Sequence, residues 1–107
     1  MATFGAYIKE TRKKLKLSQT QFGAKVDINA PAISRIENNR KEFPSGKLDL
    51  LAQVFNEDIS TINELFYADK FARMALDNDC PSSVFMAAED QAKYYRSKNS
   101  SQGTLNL

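Results

Sequence analysis

A three-residue connection constrains this chain more tightly than any other feature. Ser18 followed three positions later by Gln21 has the pattern of a capping box, opening a short helix with Phe22 and Val26 one turn apart on its inner side. Asn29 can cap a second helix, and Pro31 falls in its first turn, where a missing N–H removes no intrahelical bond. Only Asp27, Ile28 and Asn29 lie between them. Two short helices joined so closely cannot run antiparallel; they cross steeply, and the second projects from the body as a rod. Helical spacing turns Ile33 and Ile36 inward and leaves Ala30, Pro31, Ser34, Arg35 and Asn38 on the outer surface.

Helical signals also flank this pair. Thr3 can cap a first helix with Phe4, Ile8, Thr11 and Leu15 on one face and Lys9, Lys13 and Lys16 on a solvent stripe. Residues 38–44 read as a polar loop, after which Ser45 can cap a fourth helix with Leu48, Leu51, Ala52 and Phe55 in phase. Ser60 is the expected cap of a fifth helix, running from Thr61 to about Leu76. That helix is apolar on more than one stripe, Leu65, Ala68, Ala72 and Ala75 on one and Tyr67, Phe71 and Met74 on another, so it needs cover on two sides. Cys80-Pro81 breaks the pattern, Ser82 or Ser83 restarts it with Val84, Ala88, Ala92 and Tyr95 in phase, and residues 97–107 read as a disordered tail. No strand alternation, internal repeat or glycine-rich phosphate loop occurs. The expectation is an all-α chain: a five-helix domain over residues 1–66, a helical extension over 67–96, then the tail.

Composition narrows the chemistry. With 42% hydrophobic and 26% charged residues among 107, a packed core is expected. The chain has no run of about 18 apolar residues, and Met1-Ala2-Thr3-Phe4 lacks the build of a signal peptide, so a cytoplasmic protein with no membrane partner is expected. There is one cysteine and no histidine. Ser-His-Asp and Cys-His mechanisms are therefore excluded, a disulfide has no second thiol, and neither a metal site, nor a cofactor, nor an enzymatic activity is expected. Cys80 reads as an unreactive thiol. Charge is divided: residues 1–56 carry ten Lys or Arg against five acids, a net of +5, whereas the rest carries five against eight, a net of −3. A basic first half suits a polyanionic partner.

Leu17-Ser18-Gln19, Phe22, Lys25-Val26 and the run Ile33-Ser34-Arg35-Ile36-Glu37-Asn38-Asn39-Arg40 together resemble the phage-repressor helix-turn-helix family, also called Xre or Cro-like. The resemblance spans roughly residues 4–66, with the motif at 19–38. It implies a repressor-like five-helix fold and a regulator that binds double-stranded DNA, the second helix of the motif entering a major groove about 12 Å wide. By position it implies base reading by Arg35, Ala30, Pro31 and Ser34. Arg35 can donate bidentately to guanine, while Ala30, Pro31 and Ala32 offer only van der Waals contact, for instance to a thymine methyl. It implies backbone contacts from Gln19, Asn29, Asn38, Arg40 and Lys41, with added positive field from Lys9, Lys13 and Lys47. Arg12 and Glu37 resemble a family ion pair with a structural role. Two positions depart from the pattern. Gly23 stands where alanine is usual, an expected cost of about 1 kcal/mol, and Asp27 stands where glycine usually turns, which requires a left-handed aspartate.

One such domain touches few base pairs, so a homodimer on half-sites about 34 Å apart is expected. The segments around Leu65–Leu76 and Val84–Tyr95 are the candidate interface. A rival reading is an antitoxin, whose C-terminal half captures a toxin or other protein through Phe85, Met86, Tyr94 and Tyr95.

Overall fold

The computed structural model describes residues 3–102. Among them are helices α1 (Phe4–Lys14), α2 (Gln19–Val26), α3 (Ala30–Glu37), α4 (Leu48–Phe55), α5 (Ile59–Asp77) and α6 (Val84–Gln102), with a 3₁₀ turn at Ser45–Lys47. No strand occurs among the described residues, and none of their helices is long and apolar enough to cross a membrane. The chain is all-α. It divides into two compact units, residues 1–70 and 71–107, the boundary falling within α5.

Three helix starts follow the sequence signals. The Thr3 hydroxyl accepts from the Ala6 N–H at 3.0 Å. The Ser18 hydroxyl accepts from Gln21 N–H at 3.0 Å while Gln21 Oε1 accepts from Ser18 N–H at 2.8 Å, completing the capping box. Asn29 Oδ1 accepts from Ala32 N–H at 2.9 Å. Each satisfies a backbone donor that has no partner within its helix. Two of the remaining expected caps are corrected. Ser45 opens the 3₁₀ turn instead, and α4 begins at Leu48 with no side-chain cap. Helix α5 begins at Ile59, its first turn closed by Ile62 N–H donating to the Asp58 carbonyl at 3.2 Å, so Ser60 lies inside it. Serine competes for backbone bonds wherever it stands, and its presence alone does not locate a terminus.

The core of the first unit joins all five helices. Ile8, Phe22, Val26, Ile33, Leu51 and Ile62 are fully buried, and Phe4, Ile36, Phe43, Leu48, Phe55 and Phe66 nearly so. Phe4 meets Phe43 and Phe66 edge-on, with centroids at 6.1 and 5.3 Å, while Phe22 stacks on Phe55 at 5.5 Å. Such pairs add about 0.5–1.5 kcal/mol each beyond area burial. Phe43, placed by its polar neighbours in a surface loop, is 2% exposed. Leu15, expected on the inner face of α1, is 44% exposed because the helix has ended at Lys14 and the chain is turning. Asp69 ties α5 to the start of α1, its Oδ2 accepting from Phe4 N–H at 2.7 Å.

Within the second unit no described side chain from 71 to 99 is buried. Helix α6 continues through residues 97–102, which had read as disordered. Ser and Asn cost only tenths of a kcal/mol each in a helix, and no glycine or proline interrupts the run before Gly103. The remaining tail residues, 103–107, lie outside the described residues.

Candidate nucleic-acid interface

Helix α3 owes its exposure to what lies behind it. Ala32, Ile33, Ile36 and Glu37 are buried, so the inner face is fully used and the opposite face is turned out. Pro31 and Arg35 are exposed there, with Ala30 and Ser34 half-buried beside them. Ala32 is only 7% exposed, which removes it from the surface to which its neighbours belong. Pro31 sits in the first turn and Asn29 caps it, so the outer face begins on a rigid tip.

The turn before α3 is built by Gly23 and Asp27. Asp27 adopts φ 58° and ψ 50°, the left-handed conformation required of it. Gly23 is corrected from a tolerated defect to a requirement: a Cβ there would stand 2.2 Å from the Ile28 carbonyl oxygen. The backbone of the turn therefore rests directly on α2. Lys47 Nζ donates to the carbonyls of Val26 and Asp27 at 2.9 and 2.7 Å, holding the end of α2 from the 3₁₀ turn. Its ammonium is thus engaged in the fold, unlike Lys9 and Lys13, which stand exposed on α1.

Arg12, Gln19 and Glu37 come together behind the interface. Arg12 Nε and Nη2 donate to the two oxygens of Glu37 at 2.6 and 3.0 Å, and Nη1 donates to the Leu17 carbonyl at 2.9 Å. The Glu37 side chain is 1% exposed. Gln19 Nε2 donates to the same carboxylate at 3.1 Å, so one buried anion joins α1, α2 and α3. Gln19 is half-buried, and one of its two amide hydrogens is engaged in this contact. Asn29 is exposed, and its Oδ1 is engaged in the cap of α3. Asn38 is exposed, and its Nδ2 donates to the Ser34 carbonyl at 2.8 Å.

Helix α3 ends with Asn39 at φ 62°, and Arg40 N–H returns to the Arg35 carbonyl at 2.8 Å. Arg40 and Lys41 follow, both exposed. Gly5 makes this end possible: a Cβ on it would stand 2.3 Å from the Ile36 carbonyl oxygen and 2.7 Å from Asn39 Oδ1. Sequence reasoning passed over Gly5, although an isolated glycine in a helical pattern is itself a signal of close packing. Asp69 was also missed, and no local pattern marks it.

A capped helix presented outward on a compact helical body, with a cation in its last turn and two more just beyond its end, defines a DNA-binding transcription regulator. A family model described as helix-turn-helix matches residues 8–62, and the chain belongs to that family. Among solved structures, a SinR protein/SinI protein complex is similar, with 24% identity, 89% of this chain and 99% of that chain covered, and a TM-score of 0.49. None of the curated proteins matches the chain.

Proposed function

We propose that the chain is a homodimeric repressor or activator that binds a palindromic operator in double-stranded DNA, of the type that controls restriction-modification or prophage genes, and that it acts in the cytoplasm. The outward face of α3 carries this reading, because Arg35 stands exposed on a helix whose other side is locked by Ile33 and Ile36. Arg35 reads a base edge, with Ala30, Pro31 and Ser34 giving shape contacts around it. Gln19, Asn29, Asn38, Arg40 and Lys41 take phosphates, the first through the amide hydrogen that Glu37 does not hold. Selection of bound duplexes from a random pool tests this. Recovery of an inverted repeat is the expected result; recovery of no sequence, with no duplex retained even in dilute buffer, overturns it.

A second reading is an antitoxin that binds a toxin protein and regulates its own operon. The exposed Phe85, Met86, Tyr94 and Tyr95 favour it, since four large apolar side chains left in solvent on one helix are surface that a protein partner can cover.

A further inference from the structure

Helix α6 is nineteen residues long and buries none of its described side chains. Phe85 is 48% exposed and Tyr95 63%. Only Val84 and Ala92 reach even half-burial, and a helix with no fully packed face is marginal in water, because tertiary packing supplies most helical stability. At helical spacing, Val84, Phe85, Ala88, Ala92 and Tyr95 share one stripe. Glu89 and Arg96 lie together along one shoulder of it, seven residues apart and both exposed. Gln91 and Lys98 lie along the other.

We propose that this stripe pairs with the same stripe of a second copy, antiparallel, about a two-fold axis passing between Ala92 and Lys93. The pairing rests on the homodimeric reading above, whose second copy it supplies with a contact surface. Charge decides the direction. A parallel two-fold pair sets this shoulder against the other copy's Gln91 and Lys98 shoulder, which offers Arg96 no acid, whereas the antiparallel pair sets each Glu89 opposite an Arg96, twice over, as a self-complementary two-fold contact requires. On the other shoulder this register places no two like charges opposite each other. Size agrees with charge: Ala88 and Ala92 near the crossing let the helices approach to the short end of the usual 8–10 Å range, and Tyr95 of each copy then lies across Ala88 and Ala92 of the other.

Sedimentation equilibrium on the full chain without DNA tests the pairing. The expected result is a dimer that Glu89→Arg or Arg96→Glu alone weakens on the order of tenfold in Kd, since either change converts both ion pairs to like-charge pairs. Combining the two substitutions restores the affinity, with circular dichroism unchanged throughout. A wild-type monomer at every concentration overturns the pairing, as do single variants that dimerise normally or a double variant no stronger than the singles. The measurement is independent of DNA: a dimer that ignores every duplex defeats the operator reading alone, and a monomer that binds DNA defeats the pairing alone.

Discussion

At position 23 two physical effects of opposite sign compete. Intrinsic propensity says that Gly23→Ala should stabilise α2 by about 1 kcal/mol. Sterics say the reverse, because the new methyl group would meet the Ile28 carbonyl oxygen, which is backbone and cannot rotate aside. Overpacking of this kind costs about 1–3 kcal/mol, so the expected outcome in urea denaturation is a lower midpoint with an unchanged slope. A raised midpoint would show that the turn yields easily. At position 35 the question concerns recognition. Arg35 is exposed, and Arg35→Ala is expected to leave stability within about 0.5 kcal/mol. Binding should weaken by about 1–3 kcal/mol at one base position, with relaxed preference there. Uniform weakening across all duplexes, measured by titration of single-base variants, would make Arg35 a phosphate contact.

Beside the shared apolar core, a single buried carboxylate bonds α3 to both α1 and α2, and that makes the arrangement fragile in a specific way. Arg12→Met leaves Glu37 buried with only Gln19 and no cation, which should cost about 3–5 kcal/mol; adding Glu37→Leu should recover much of the loss, because an apolar pair needs no desolvated charge. Thermal unfolding of the two variants checks the sign, and equal losses would mean that packing rather than charge sets the cost. This network shows how far local pattern carries. The capping box and the Asn29 cap were legible because each is a contact within a few residues along the chain, whereas the left-handed Asp27 was expected only from the glycine usual at that place in the family. The Arg12–Glu37 pair was legible only through family resemblance, since 25 residues separate its members. Phe43 and Asp69 were not legible at all: one is an apolar residue among charged neighbours, the other an acid whose partner is the far end of the domain. On the interface side, outward positions on α3 followed from period alone, but Ala32 did not, because its burial depends on what packs beside the helix tip.

For the molecule as a whole, two dependences follow from charge and symmetry. Burial raises the phenol pKa of Tyr7, and Glu57 raises it further against a smaller opposing hydrogen bond from Thr11. Folding therefore favours the protonated phenol, so this contribution to stability is complete below the ordinary tyrosine value of about 10 and is lost as pH climbs through the raised one. Tyr7→Phe should flatten the alkaline fall in stability, measured as urea midpoints above neutral pH, and an identical fall in both proteins would remove Tyr7 as its cause. On the proposed dimeric reading, symmetry governs the operator. Two α3 tips in a two-fold dimer enter successive major grooves on one side of the duplex, about 34 Å and 10–10.5 base pairs apart. Inserting about five base pairs between half-sites turns the second site to the far side of the DNA, so affinity should fall toward that of a single half-site. Inserting about ten restores the facing but stretches the span, and recovery then measures how freely the two reading domains reach. Band-shift titration over such a series should give one strong optimum at the natural spacing. Equal affinity at every spacing would mean that each domain binds alone, and the dimer would then serve something other than operator choice.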